Sequence, residues 1–288
     1  MSDKRPSLLA LIEQRLESGA VELPVFDGIT LRIHRAMREQ TLDADGICRL
    51  LQEDPVLAGE VLRVANSSFF RGLFEVRSLR EASVRLGIKQ LVAITVSVSQ
   101  KRLYSASKGP FRSRLVLLWR HVSAVSACAR WLAAQTGYKS LADEVAVAGL
   151  LHDVGKLSLL RIIEDIALEG RGKVRLTNEL VNAVLDKMHC EHGARLLDLW
   201  ELPETFKTIV RHQEDREFDD TNISLCIIRL SDKVCALEGV SDRPDRTLAL
   251  ETLHETHVLG LDDIDLAELR LVAEDYRDGR MPKPAQAA

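Results

Sequence analysis

An all-α fold is predicted by three features of this 288-residue sequence. Its usage is that of a helical soluble chain, with 46% hydrophobic, 28% charged and only 5% aromatic residues, and with 16 Gly and 8 Pro in all. Apolar residues recur at intervals of three and four along most segments, the period of a one-sided helix. Helix-start chemistry, an Asp or Asp-Pro ahead of an apolar stripe, recurs as well.

The elements follow in chain order. MSDKRPSLLALIEQRLESG reads as an amphipathic helix without a cleavage site. In EDPVLAGEVLRVANSSFF, Asp54 is the N-cap and Pro55 the first-turn residue, Leu57, Val61, Leu62 and Ala65 form the apolar face, and the polar run Asn66 to Ser68 stops the helix. LGIKQLVAITVSVSQ is ambiguous: Val92, Ile94, Val96 and Val98 alternate as in a strand, while Leu91, Ile94, Thr95 and Val98 fit a helix. Its helical neighbours favour helix. SASKGP, residues 105 to 110, combines Ser, Gly and Pro and marks the boundary between two packed helical subdomains, residues 1–107 and 110–288. In the second, FRSRLVLLWRHVSAVSACARWLAAQ buries Leu118, Val125, Cys128 and Leu132. Further on, Asp262 or Asp263 caps a helix over Leu266, Leu269 and Val272. The tail MPKPAQAA is too short and polar to pack.

Composition also limits function. Apolar runs fall short of the ~18 residues needed to span a bilayer, so a cytoplasmic protein without a membrane partner is expected. A net charge of −4 with mixed-sign surfaces gives no support for a nucleic-acid partner. Cys48, Cys128, Cys190, Cys226 and Cys235 are odd in number and lack any C-x-x-C pair, so buried reduced thiols are expected.

The chemistry concentrates in the second half. His121 lies three or four residues from Leu118 and Val125 and points inward. In AGLLHDVGKL, residues 148 to 157, His152 stands at the end of an apolar run on a face of small residues, Val145, Ala148 and Gly149, followed by Asp153, Gly155 and Lys156. His192 shares a face with Leu185, Met188, Leu196 and Leu199; His212 follows Ile209 by three; Asp232 lies on a face with Leu225, Ile228 and Cys235. His34, His189, His254 and His257 read as ordinary histidines bonded to backbone or solvent. Isolated buried carboxylates cost several kcal/mol unless paired or bound to a metal. Imidazoles with carboxylates suit Fe, Mn, Zn, Ni or Co, so a shared divalent-metal site of His121, His152, Asp153, His192, His212 and Asp232 is expected. Asp153 and Lys156 are the candidate catalytic residues.

GLLHDVGKL, with His121 upstream and Asp232 downstream, resembles the H…HD…D pattern of the HD superfamily of metal-dependent phosphohydrolases. ELPVFDGITLRIHRAM, LLQEDPVLAGEVLRVANSSFF and SLREASVRLGIKQL are similar to the N-terminal part of the HDOD family, and LWRHVSAVSACA, HCEHGARLLDLWELP and IVRHQ continue the likeness, over roughly residues 22 to 235. This resemblance implies an all-helical module of bacterial signalling, acting by regulatory binding, with partners among two-component or cyclic-dinucleotide pathway components. It also leaves open a metal-dependent phosphohydrolase or phosphodiesterase acting on a nucleotide or other phosphoester, because His121, His152, Asp153, His192, His212 and Asp232 are all present. QEDREFDDTNIS after His212 lacks the second histidine and the G-Y-P element of the HD-GYP phosphodiesterases, which argues against that activity.

Overall fold

The computed structural model describes residues 7–18, 28–39, 41–66, 75–105, 109–170, 176–200 and 202–279, and among these there is no strand. Fourteen α-helices follow in order among them: α1 (Leu8–Ser18), α2 (Gly28–Glu39), α3 (Ala44–Gln52), α4 (Pro55–Ala65), α5 (Leu79–Leu86), α6 (Ile88–Ser105), α7 (Arg112–Gln135), α8 (Ala142–Leu151), α9 (Val154–Gly170), α10 (Asn178–Leu199), α11 (Glu204–His212), α12 (Ile223–Leu237), α13 (His254–Leu259) and α14 (Asp263–Arg277).

Several helices start where a side chain satisfies free amides. Asp54 accepts from the Val56 and Leu57 amides at 2.9 Å each, with Pro55 in the first turn of α4. Asp262 and Asp265 form a reciprocal capping box at α14. Asn66 ends α4, and its side chain clamps Val76 through two backbone hydrogen bonds of 2.8 and 2.9 Å. Ser67 and Ser68 of the expected stop lie outside the described residues, as do Leu23 and Pro24, residues 106–108 of the expected breaker and the MPKPAQAA tail.

The ambiguous segment is α6, and its surroundings explain the ambiguity. Leu91, Val92, Ile94 and Val98 pack with Ile33, Ile47, Leu57, Val61 and Leu79 from α2 to α5. Ala93 and Val96 face a second cluster, with Cys128, Leu132, Val145, Ala148, Ile209, Ile228 and Leu269. Tyr104 reaches a third, with Leu115, Leu157, Ile163 and Leu185. A helix buried on every side has no polar face to reveal its period. Leu8 and Ile12 of α1 also belong to the third cluster, and α1 packs on α9, distant from it in sequence.

Two crossings bring backbones unusually close. A Cβ on Gly149 of α8 would stand 2.6 Å from the Ser126 Cα of α7, and one on Gly155 of α9 would stand 2.0 Å from the His189 carbonyl oxygen of α10. Gly193 lies on the same crossing, its amide 2.9 Å from the Gly155 Cβ position. These contacts draw α7, α8, α9 and α10 together where the inward histidines lie.

Candidate metal centre

The chain turns sharply between α8 and α9, and His152 and Asp153 are the two residues of that turn. Adjacent residues inside one helix diverge by about 100°; placed at an elbow, both side chains reach the same point. Gln213, just past α11, steadies the elbow by donating to the His152 carbonyl at 2.7 Å.

Four side chains converge there. His121 Nε2 lies 3.2 Å from His152 Nε2, 3.1 Å from Asp232 Oδ1 and 3.5 Å from Asp153 Oδ2. His152 Nε2 is 3.5 Å from Asp153 Oδ2 and 3.9 Å from Asp232 Oδ1. His121, His152 and Asp153 are each 1% exposed. Asp232 is less enclosed than its apolar face suggested: its side chain is 42% exposed and forms the mouth of the cluster.

The tautomers are fixed by the far side of each ring. His121 Nδ1 sits 2.8 Å from the Val240 carbonyl and His152 Nδ1 2.7 Å from the Gly149 carbonyl. A carbonyl only accepts, so each Nδ1 carries a proton and each neutral ring turns an Nε2 lone pair inward. At 3.2 Å the two Nε2 atoms need a proton or a metal cation between them. Asp153 Oδ2 points to the same space, 2.9 Å from Lys156 Nζ but without an aligned hydrogen bond. Burial lowers the proton affinity of His121, but the hydrogen bond and charge of Asp232, with Asp153, outweigh it and hold that imidazole above its ordinary value. Burial keeps His152 below its own, despite Asp153. The Asp153 carboxyl, which burial pushes up, is held far below the carboxylate range by Lys156 and the three surrounding histidines. Lys156 in turn is disfavoured as a cation by burial but held strongly protonated by Asp153 and Asp242.

His121, His152 and Asp153 bring donor atoms within ligand spacing of one another and fit a divalent ion, with Asp232 beside them on His121. Ligands about 2.1 Å from one metal, at angles between octahedral and tetrahedral, lie about 3.0 to 3.4 Å apart, close to the spacings here. Both imidazoles also donate their outer N–H to a backbone carbonyl, the usual support for a metal-ligating histidine.

Two expected residues stay apart from this cluster. His192 is buried, but its Nε2 meets Ser158 Oγ at 2.8 Å; burial, with the Arg195 charge, pushes its pKa down to about 4. His212 is 43% exposed at the end of α11 and pairs with Asp215 at 2.7 Å. Gly155 lies in the first turn of α9, where lack of a side chain admits α10.

The residue that arrives in their place is His189, which had read as an ordinary core histidine. It is fully buried, with Nδ1 on the Leu185 carbonyl at 2.7 Å, and its Nε2 lies 3.7 Å from Asp153 Oδ1, 3.2 Å from Glu214 Oε1 and 3.3 Å from Cys190 Sγ. Burial disfavours its charged form, yet Cys190, Glu214 and Asp153 raise its pKa to about 10. It lies between two carboxylates, and His189, Cys190 and Glu214 form a second group of donor atoms within ligand spacing. Cys190 is thus partly exposed rather than a buried core thiol, whereas Cys48, Cys128, Cys226 and Cys235 are free and buried. The signal available in the sequence was Gly193, four residues after His189, where α10 needs a close neighbour.

Comparison with known proteins agrees with this architecture. A curated but uncharacterised protein of Treponema pallidum (strain Nichols) is 24% identical over 209 residues, 71% of this chain and 39% of that protein, so the chain spans about two fifths of its relative. An HDOD domain protein of unknown function from Geobacter sulfurreducens has a solved structure with TM-score 0.71 and 24% identity, covering 93% of this chain and 97% of that one. A protein of Shewanella amazonensis SB2B named as a candidate metal-dependent phosphohydrolase gives TM-score 0.71 at 19% identity, over 94% and 97%. A protein of Marinobacter aquaeolei VT8 named as a candidate signal transduction protein gives 0.67 at 18%, over 96% and 66%. No single helix among the described residues is long and apolar enough to cross a membrane. The HDOD domain model matches residues 23–216, more than half of the sequence, and the chain belongs to the HDOD family.

Proposed function

We propose that this chain is a regulatory signalling module whose HD-type centre binds one divalent transition metal through His121, His152, Asp153 and Asp232. The observation that carries the reading is the pair of inward Nε2 atoms, 3.2 Å apart, with the buried Asp153 Oδ2 within 3.5 Å of both. Fe, Mn, Zn, Ni and Co all suit such a set. In the metal-free protein a proton on His121, shared toward Asp232, supplies the positive charge that the ion would supply. Binding an ion exchanges that proton for the metal and tightens the elbow between α8 and α9, and so couples the centre to the packing of α7, α9 and α10 around it. Partners from two-component or cyclic-dinucleotide signalling fit the family context.

A second reading, a metal-dependent phosphohydrolase, is favoured by one feature: the donor group His189, Cys190 and Glu214 lies next to Asp153, where a second ion would sit. A bound pair of ions would supply Lewis acidity to a phosphoryl group, while Lys156, 14% exposed, would hold its oxygens in place. Metal analysis of the purified protein, followed by Mn²⁺ titration of the stripped protein and a phosphoester hydrolysis panel, separates the readings. One equivalent of ion without turnover supports the regulatory module. Metal-dependent turnover replaces it with the enzyme, and protein that is purified without an ion and takes up no Mn²⁺ ends both.

A further inference from the structure

A series of hydrogen bonds leads from the turn between α8 and α9 into the C-terminal helices. The last carbonyls of a helix lack partners within it. His152 is the C-cap of α8, and its carbonyl accepts from Gln213 Nε2 at 2.7 Å. Gln213 is in turn the C-cap of α11, and the carbonyls of His212 and Gln213 accept from one nitrogen of Arg229, Nη1, at 3.2 and 2.6 Å. Arg229 stands on α12 three residues before Asp232, so one helix carries both a side chain of the centre and this guanidinium. Arg229 Nε donates to Glu255 Oε1 of α13 at 2.7 Å, and Lys233 Nζ donates to the same oxygen at 2.6 Å. The Phe218 ring covers the guanidinium at 3.9 Å. Arg229 is 7% exposed and Glu255 1%, so each charge depends on the other.

We propose that Glu255 and Arg229 are positioning residues of the ion centre, acting through Gln213 on the turn that holds His152 and Asp153, and that ion occupancy is thereby linked to the seating of α13. The link to the ion rests on the ion-centre reading above, and the positioning of the turn does not. An ion pair that served only to fasten α13 to α12 would need Arg229 Nε and Glu255 alone. The contacts of Nη1 with two successive carbonyls extend it to the end of α11, and the Gln213 side chain extends it to the turn. The guanidinium is a rigid planar fork, so a displacement of Glu255 turns Nη1 away from the carbonyls it holds. Hydrogen bonds weaken steeply when misaligned, whereas methyl contacts in the surrounding clusters tolerate small slips. The polar series therefore carries displacement between α13 and the turn. By the reciprocity of linked equilibria, an ion that fixes the turn also fixes α13, and by the same factor.

Mn²⁺ titration followed by electron paramagnetic resonance, together with amide hydrogen exchange of the metal-stripped full chain, tests this. The proteins are wild type, Glu255→Gln, Gln213→Ala, the double variant and Leu57→Ala, which loses core stability in the cluster around α2 to α5, away from the series. Glu255→Gln and Gln213→Ala should each weaken Mn²⁺ binding about tenfold. If Glu255 acts through Gln213, the double variant should bind no more weakly than the weaker single variant. Leu57→Ala should bind as wild type does. Without metal, both single variants should exchange the amides of residues 153–157 about tenfold faster relative to those of α10 than wild type does, while Leu57→Ala keeps the wild-type ratio. Arg229→Lys, which keeps the charge and loses the fork, replaces Glu255→Gln if that protein does not fold. Effects that multiply in the double variant, an unchanged exchange ratio at the turn, or equal loss of Mn²⁺ by Leu57→Ala overturns the proposal. Wild-type Mn²⁺ affinity in Glu255→Gln defeats this inference and leaves the centre standing. Wild type that takes up no Mn²⁺ defeats the ion centre, and the exchange ratio at the turn then decides the positioning by itself.

Discussion

Gly155→Ala is the most direct perturbation of the centre that leaves its ligands untouched. The new methyl carbon would stand 2.0 Å from the His189 carbonyl oxygen, 2.8 Å from its carbonyl carbon and 2.9 Å from the Gly193 amide nitrogen, where ordinary contact begins near 3.4 Å. Helix α10 must retreat by about 1.4 Å, and because the obstruction is backbone inside a helix, no rotamer change relieves it. Overpacking of this kind costs about 1–3 kcal/mol, and a backbone clash belongs at the upper end. The gain in helix propensity on replacing Gly returns up to ~1 kcal/mol, for a net loss of about 2 kcal/mol. The retreat also carries His189 away from Asp153, which it now faces at 3.7 Å. Urea unfolding should show a lower midpoint at unchanged slope, and Mn²⁺ affinity should fall with it. Gly59→Ala in α4 is the control, since nothing lies within 4 Å of its Cβ position; it should gain up to ~1 kcal/mol. Gly155→Ala protein as stable as wild type to within about 0.5 kcal/mol would refute the claim that this crossing sets the geometry.

Three other outcomes are expected. Asp153→Asn leaves Lys156 without the carboxylate 2.9 Å away and should destabilise metal-stripped protein by about 3–5 kcal/mol, besides abolishing any rise in Tm on adding Mn²⁺; calorimetry of both forms checks it, and a stripped variant of wild-type stability contradicts it. His192, with a folded pKa pushed down to about 4 against an ordinary 6.5, contributes stability that is complete above about pH 6.5 and is lost as the pH falls toward 4. Wild type should therefore lose about 3 kcal/mol across that window relative to His192→Gln, and parallel pH profiles of the two proteins would disprove the assignment. Glu255, 1% exposed, accepts from Arg229 at 2.7 Å and Lys233 at 2.6 Å, so Glu255→Gln should cost about 3–5 kcal/mol in urea unfolding; a loss under ~1 kcal/mol would show that water replaces the pair.

The parts of this molecule that local chemistry decides were readable from residue order. Asp54-Pro55 and Asp262 cap the helices they should, and His121, His152, Asp153 and Asp232 meet because an inward histidine or a carboxylate on an apolar face needs a partner. What local chemistry leaves open is which of several inward faces meets which. His189 and His192 are three residues apart on α10, close to one face, and both are buried. Their neighbours alone do not distinguish them. The choice between them is made at a distance, by Gly155 and Gly193, which set how α9 lies on α10: His189 falls opposite Asp153 and His192 opposite Ser158, five residues further along α9. Likewise, His212 follows Ile209 at helical spacing, but α11 ends at that residue and its ring turns to Asp215 in solvent. A shift of α10 along α9 by one turn would carry His189 away from Asp153 and bring His192 toward it without altering a residue near either. A ligand constellation assembled from separate helices is therefore specified as much by the small residues at helix crossings as by the ligands themselves.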